Sequence, residues 1–139
     1  MIVAVVDGQG GGIGRAIVEK IRKSFSNLEI IALGTNSAAR GQMLKAGASE
    51  GATGENAIIH NMKNVDVVIG VIGILNANAM MGELTPAMAV AIGDSHAYKI
   101  LLPVNRCHIH VVGVEGISLS EHIDNAVKAL AQYIDSIRK

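Results

Sequence analysis

Short apolar runs alternate with amphipathic stretches along the chain, and this alternation predicts its secondary structure. Apolar or β-branched runs predict five strands, at residues 2–6, 29–33, 48–52, 65–72 and 99–104, of which 48–52 is the weakest. Asn105 and Arg106 form a tight turn in this interpretation, leading into a sixth strand at 107–112. A turn that short joins only antiparallel neighbours, so this last strand is expected to run against the others.

Five helices are predicted between and after these strands. The first spans about 12–24, because Ile13, Ile17 and Ile21 recur at four-residue spacing. The next two are expected at 37–46, capped by Asn36 or Ser37, and at 53–64. The fourth helix is predicted from a Thr85-Pro86 start and is expected to end at 92–94. The C-terminal helix is predicted from a capping box formed by Ser118 and Glu121.

Strands that alternate with helices predict a three-layer α/β domain of the Rossmann-like class, made of residues 1–139. The run at 65–72 is apolar on both faces except for Asp66, as in central parallel strands that helices cover on both sides. We therefore expect a mostly parallel sheet of strand order 3-2-1-4-5, with the sixth strand antiparallel.

Composition narrows the classes of partner. The formal net charge is zero, and the aromatic residues are few, so the basic stripe and stacking platforms of nucleic-acid binding are missing. Half of the residues are apolar and only 17% are charged, which predicts that a second copy covers apolar surface in a homodimer or other homo-oligomer.

The same features favour a cytoplasmic protein without membrane contact. The longest apolar or glycine run, 67–75, is too short to span a bilayer. The N-terminal apolar run has no preceding basic region and ends at Asp7, so it is interpreted as a strand rather than a signal peptide. The single cysteine, Cys107, excludes an internal disulfide and is interpreted as a small buried hydrophobe.

The most informative segment lies between the first strand and the first helix. Backbone N–H groups and a helix N-terminus converge there, an arrangement that binds phosphate. The spacing Gly8-x-x-x-Gly12-x-Gly14 resembles the cofactor loop of short-chain dehydrogenases, although Ile13 breaks a G-x-G-x-x-G pattern. The alternative is that the glycines serve only close strand–helix contact. The segment consists of Gly8, Gln9, Gly10, Gly11, Gly12, Ile13 and Gly14.

The residues flanking this segment refine the prediction. Asp7 either caps the glycine segment from within or holds a magnesium ion against a phosphate. No acid follows the second strand, where NAD sites place one; Thr35, Asn36 and Arg40 stand there instead. Small polar groups and an arginine suit a 2′-phosphate, so NADP is favoured over NAD. Locally, Asn36 and Ser37 also serve as helix caps.

Further polar residues are expected at the carboxyl edge of the sheet, where ligands bind in doubly wound folds. After the fourth strand we expect Asn76, Asn78, Glu83 and Thr85 to face the glycine segment, and Asn105 to reach the same edge. Met80 and Met81 suit a lid or a subunit contact. The alternative is an ordinary surface loop.

Recognisable catalytic groups are missing. The Tyr-x-x-x-Lys pair of short-chain dehydrogenases is absent, since Lys99 directly follows Tyr98 and no lysine stands four residues after Tyr133. His108 and His110 would share one face of the sixth strand, where they could bind a metal or simply be exposed polar residues. No metal site is predicted from them.

Taken whole, the chain resembles a bacterial family of short Rossmann-like proteins with no assigned function. The resemblance implies a nucleotide-binding type of fold, and it suggests Thr53, Glu55 and Asn56 as site residues unless they only cap the third helix. The matching motifs are Val6-Asp-Gly-Gln-Gly-Gly-Gly-Ile-Gly14, Ala32-Leu-Gly-Thr-Asn36, Gly51-Ala-Thr-Gly-Glu-Asn-Ala57 and Lys99-Ile-Leu-Leu-Pro-Val-Asn105.

The sequence therefore predicts binding of a phosphate-bearing small molecule, NADP or a related nucleotide, at the glycine segment. Two functional classes stay open: an oxidoreductase that draws catalytic groups from residues such as Asn76, Asn78 and Thr85 or from a partner subunit, and a non-catalytic nucleotide sensor or regulatory subunit. A structural fold without a ligand is the third possibility.

Overall fold

The computed structural model describes residues 1–104 and 108–138, which form a five-stranded sheet between two layers of helices. All four strand pairings are parallel, and the order is β3-β2-β1-β4-β5, so the predicted α/β fold class and strand order are confirmed. The strands are β1 (Ile2–Asp7), β2 (Glu29–Gly34), β3 (Glu50–Thr53), β4 (Val67–Val71) and β5 (Tyr98–Leu102).

Five α-helices and one 3₁₀ turn connect or follow the strands. They are α1 (Gly12–Ser24), α2 (Ser37–Lys45), α3 (Glu55–Met62), the 3₁₀ turn Ile72–Leu75, α4 (Pro86–Gly93) and α5 (Leu119–Ile137). In the described part of the chain, no helix combines the length and apolarity needed to cross a membrane.

The sheet separates two hydrophobic cores. β1 alternates between them: Val3 and Val5 pack with residues of α1, α2 and α5, whereas Ala4 and Val6 pack with residues of α3 and α4. All four side chains are at most 1% exposed. Burial on both faces explains why β1 is continuously apolar, and it places the carboxyl end of β1 at the centre of one sheet edge.

Local capping signals set the starts of three helices. The Asn36 side chain accepts a hydrogen bond from the Ala39 N–H at 2.8 Å, and the Thr85 hydroxyl accepts one from the Met88 N–H at 3.2 Å. Ser118 accepts from the Glu121 N–H at 3.2 Å. These are the predicted caps, and each satisfies an amide that has no partner within its own helix.

The predicted sixth strand is wrong for the residues that can be compared. Residues 108–112 contain no strand and join no sheet, and the predicted turn at Asn105-Arg106, with Cys107, lies outside the described residues. β5 ends at Leu102, directly before Pro103, which lacks the N–H that a continuing ladder would use. His108 has a positive φ of 55°, which also departs from extended backbone.

Two other element boundaries differ from the predicted ones, each for an identifiable reason. β3 extends to Thr53, which pairs with Gly34 of β2, so α3 starts only after Gly54, whose φ is +97°. Ile72 begins the 3₁₀ turn instead of ending β4. Pairing with β2 therefore sets the end of β3, and a local turn sets the end of β4.

We expect Gly14→Ala to destabilise the protein and Gly10→Ala to be tolerated. A Cβ at Gly14 would lie 2.7 Å from Asp7 Cβ and 2.8 Å from both Asp7 Oδ2 and Met43 Sδ, whereas one at Gly10 meets nothing within 4 Å. The clash should lower the free energy of unfolding by about 1–3 kcal/mol. Urea unfolding of both variants measures this, and equal stability of the two would contradict it.

Candidate functional site

The segment Gly8–Gly14, called the glycine loop below, connects β1 to α1 through a sharp turn. Gly11 is the residue before the helix and has φ +77°, and Gln9 also has a positive φ, of 50°. A Cβ on Gly11 would lie 2.7 Å from Ala39 Cα, so α2 approaches the loop backbone directly. Glycine is therefore required at this position for both conformation and space.

Asp7, the last residue of β1, closes the glycine loop. The residue is 7% exposed, and its carboxylate accepts hydrogen bonds from the Gly8 N–H at 2.8 Å and the Gly14 N–H at 2.6 Å. A buried carboxylate is stable when such charge-assisted bonds satisfy it. Asp7 thus caps the loop from within, which was one of its two interpretations from the sequence.

The other amides of the loop divide into two sets. The Gln9 N–H donates to Glu83, and the Gly11 N–H donates to the Gly8 carbonyl at 3.0 Å. The N–H groups of Gly10, Gly12 and Ile13 donate to no atom of the described residues. Gly12 and Ile13 begin α1, so two of these three donors stand at the positive end of a 13-residue helix.

A cavity of about 440 Å³ lies against the glycine loop, at the carboxyl ends of β1 and β4. This volume is in the range of small-molecule sites. Apart from the loop and Asp7, the described lining is apolar. It consists of Ala16, Val71, Met80, Met81, Val104 and Leu119.

Residues 76–84, called the methionine loop below, cover one side of the cavity. Reciprocal contacts close the loop: the Asn78 N–H donates to the Leu84 carbonyl at 2.8 Å, and the Leu84 N–H donates to the Ala79 carbonyl at 3.1 Å. Met80 and Met81 have φ values of 59° and 57°, a conformation that is unfavourable for residues with a Cβ. Met81 is 96% exposed, so burial of its side chain does not offset this strain.

Glu83 ties the methionine loop to the glycine loop and to the end of β2. Its Oε1 accepts from the Gln9 N–H at 2.9 Å, the Thr35 hydroxyl at 2.8 Å and the Asn36 Nδ2 at 2.8 Å. The bond from the Gln9 amide, more than those from Thr35 and Asn36, lowers the pKa of Glu83, against an opposing effect of burial. Glu83 is therefore ionised at neutral pH.

The structure brings together part of the predicted site. Asp7 and residues 8–13 line the cavity, and Gly14, Thr35 and Asn36 contact Asp7 or Glu83 beside it. The Asn36 Nδ2 also donates to the Gln9 carbonyl at 2.9 Å. The end of β2 is thus joined to the glycine loop by side chains as well as by the sheet.

Arg40 lies against the ends of β2 and β3. Its Cγ is 2.8 Å from a Cβ built on Gly51, and its Cβ is 3.1 Å from one built on Gly34. Its Nε is buried without a hydrogen-bond partner among the described residues. Arg40 does not line the cavity.

The remaining predicted residues that the structure describes are not part of the cavity lining. Thr85 donates from its hydroxyl to Glu55 Oε1 at 2.6 Å, which links α4 to α3. Thr53 ends β3, and Asn56 lies in the first turn of α3. Asn76 and Asn78 belong to the methionine loop but do not line the cavity, and Asn105 lies outside the described residues.

The two histidines considered for a metal do not share a strand. His110 Nε2 lies 2.9 Å from Glu115 Oε1, in a segment without regular structure. Across residues 1–104 and 108–138, no group of three or more His, Cys, Asp or Glu side chains could hold a metal ion.

Sequence reasoning missed the apolar walls Val71, Val104 and Leu119, which lie just at or beyond element ends. It expected Glu83 to face the glycine loop, and the bond to the Gln9 N–H confirms this. It did not anticipate that Glu83 would also contact the end of β2. In the sequence, these three lining residues could be recognised only from their positions, which lie at the carboxyl edge of the sheet or at a helix start.

We expect Glu83→Gln to lower stability at neutral pH by about 1–3 kcal/mol, because three hydrogen bonds to a charged acceptor become weaker. Folding lowers the pKa of Glu83 below its ordinary value of 4.5, so the carboxylate stabilises the fold above that value. This contribution disappears as the pH falls through the lowered pKa.

The difference between wild type and Glu83→Gln in urea unfolding should therefore be largest near pH 7 and shrink progressively below pH 4.5. A difference that stays constant from neutral pH into the acid range would show that the charge of Glu83 is not what stabilises the contact.

The chain matches one family model, described as a domain of unknown function (DUF3842), over residues 2–135. No curated protein and no solved structure matches it. The match covers β1 through most of α5, and so includes the glycine loop, the methionine loop and the whole sheet. The chain belongs to the DUF3842 family.

Proposed function

We propose that this protein binds a phosphate-bearing small molecule, NADP or a related nucleotide, at the glycine loop. One observation carries the proposal: the Gly10, Gly12 and Ile13 amides, which donate to no described residue, lie in the lining of a 440 Å³ cavity at the start of α1. Backbone amides at a helix N-terminus bind phosphate oxygens through hydrogen bonds and the helix dipole together.

The surroundings of these amides limit the charge of the ligand. Asp7 lines the cavity, and no lysine or arginine is among the lining residues that the structure describes. Three amides and a helix end suit the singly charged groups of a pyrophosphate diester or one phosphate monoester. They suit a nucleoside triphosphate poorly, because nothing in this lining offsets its higher charge.

The apolar walls suit a flat, weakly polar ring. Val71, Val104, Leu119 and the two methionines would contact its faces, and methionine sulfur interacts favourably with aromatic rings. Asp7 would not bind a phosphate oxygen, because both groups are acceptors, and the Gly8 and Gly14 N–H groups that donate to Asp7 stabilise its charge in the presence of a phosphate.

A non-catalytic nucleotide sensor or regulatory subunit agrees better with this site than an oxidoreductase does. Asp7 is the only titratable side chain in the described lining, and it is engaged with the loop. Tyr98 and Tyr133 stack on each other with ring centroids 4.1 Å apart, and Tyr98 begins β5, at the opposite edge of the sheet. An oxidoreductase would need a proton donor from outside the described lining, in this chain or in a partner subunit.

We also propose that the protein works as a homo-oligomer in the cytoplasm, with a nucleotide rather than nucleic acid as its partner. Val90 on α4 is 66% exposed and Met81 is 96% exposed, so apolar surface is left for a second copy to cover. The net charge of zero gives no electrostatic basis for binding nucleic acid.

A thermal-shift screen with NADP, NAD, FAD, ATP, GTP and coenzyme A tests the proposal. We expect one of the dinucleotides to raise the melting temperature by several degrees at saturating concentration. Gly12→Val should fold, since a Cβ there meets nothing within 4 Å, but it should lose the shift because its side chain would enter the phosphate site.

Gly41→Val is the matched control. It places the same side chain in a helix at a position that is equally open but does not line the cavity, so it should keep the shift. No shift with any of the six compounds would remove the proposal, and a full shift in Gly12→Val would place the site elsewhere. An assay of hydride transfer to small carbonyl compounds then separates an oxidoreductase from a sensor.

A further inference from the structure

A carboxylate stands at the end of β2 although the sequence there has none. The parallel register pairs Asp7 with Gly34, so the ends of β1 and β2 lie side by side. Glu83 reaches this position from the methionine loop, 48 residues further along the chain than Thr35. The absence of a local acid therefore says nothing about the charge that a ligand would meet.

We propose that Glu83 contacts the sugar of the bound nucleotide and selects a free 2′-hydroxyl over a 2′-phosphate. The inference rests on the proposed nucleotide function, and it narrows that function from NADP or a related nucleotide to the form without the 2′-phosphate.

The donors around Glu83 fix the place and direction of its carboxylate. Oε1 receives one N–H from the glycine loop and two side-chain donors from the end of β2, all between 2.8 and 2.9 Å. Three donors on one oxygen from two separate segments hold that oxygen between the phosphate-binding amides and β2. The sugar next to a phosphate bound at the loop would lie within reach of this group.

The second oxygen of Glu83 remains able to accept a hydrogen bond. Oε2 makes none with the described residues, whereas Oε1 makes three. The hydroxyls of a ribose are donors that such an oxygen can bind. A 2′-phosphate has only acceptor oxygens and a charge of the same sign, so it would be repelled.

Arg40 does not cancel this repulsion. Its stem lies over Gly34 and Gly51, and it forms no ion pair with Glu83. The groups that surround the Glu83 carboxylate are instead neutral donors: a backbone amide, a hydroxyl and a side-chain amide. They stabilise the negative charge and leave it in place.

Isothermal titration calorimetry with NAD⁺ and NADP⁺ tests the inference, with 5′-AMP and adenosine 2′,5′-bisphosphate as a second pair that differs only in the 2′-phosphate. The wild type should bind the member without that phosphate about tenfold more tightly, or better. Glu83→Gln keeps an acceptor oxygen but removes the charge, so the preference should fall to about threefold or less.

Glu55→Gln is the matched control. Glu55 also accepts a hydrogen bond from a hydroxyl, that of Thr85, but it forms no hydrogen bond with the glycine loop or with β2. This variant should keep the wild-type preference. A loss of preference in both variants would show a general effect of net charge and would overturn the specific role of Glu83.

The remaining outcomes separate this inference from the proposed function. If the wild type binds NADP⁺ as tightly as NAD⁺, or more tightly, the inference fails whatever the variants do, even if Glu83→Gln does not fold. An unchanged preference in folded Glu83→Gln overturns the role of Glu83 alone. If neither dinucleotide nor either mononucleotide binds, the inference fails, and the proposed function fails with it only if the thermal-shift screen of all six compounds is also negative.

Discussion

The two hydrogen bonds that the Asp7 carboxylate accepts are the constraint on which the cavity beside the glycine loop depends. One carboxylate accepts the N–H of Gly8, its neighbour in sequence, and that of Gly14 in the first turn of α1. The bonds hold the two ends of the glycine loop together, and they therefore fix where α1 begins relative to β1. The contacts of Gln9, and the part of the cavity lining that the glycine loop forms, therefore depend on ends that Asp7 has set.

Glu83 also accepts several hydrogen bonds through one carboxylate, but from residues that are distant in the sequence. Asp7 and Glu83 each use a carboxylate to collect donors that would otherwise face the crevice. Together they leave the amides of Gly10, Gly12 and Ile13 as the described loop donors without a partner among the described residues. Backbone hydrogen bonds within residues 78–84 surround the left-handed backbone of Met80 and Met81, and strain of this kind persists only where surrounding contacts enforce it.

The features that were predictable from the sequence are those set by neighbouring residues. Alternating apolar runs and amphipathic stretches gave the α/β class and the strand order, and Asn36, Thr85 and Ser118 cap helices as their types indicate. Asp7 capping the glycine loop was also open to prediction, because Gly14 lies only seven positions further along the chain.

The errors arose where distant contacts or an unusual backbone decide the structure. The contact between Gln9 and Glu83 spans 74 positions, and no local pattern encodes the bonds from Thr35 and Asn36 to the same oxygen. The β-branched residues at 107–112 looked like a strand, but a strand also needs a sheet partner, which the described residues 108–112 do not have. Met80 and Met81 have positive φ although neither is a glycine, so their residue types do not indicate this conformation.

The distribution of charge at the crevice has a chemical consequence. Two carboxylates lie beside or near the amides, and the described cavity lining contains no basic side chain. Recognition of a weakly charged phosphodiester needs only the amides, the helix end and apolar walls, all of which are present. Proton transfer would need a group free to exchange a proton, and the one titratable side chain of this lining is held by two backbone amides. The described lining therefore supports the proposed recognition of a ligand.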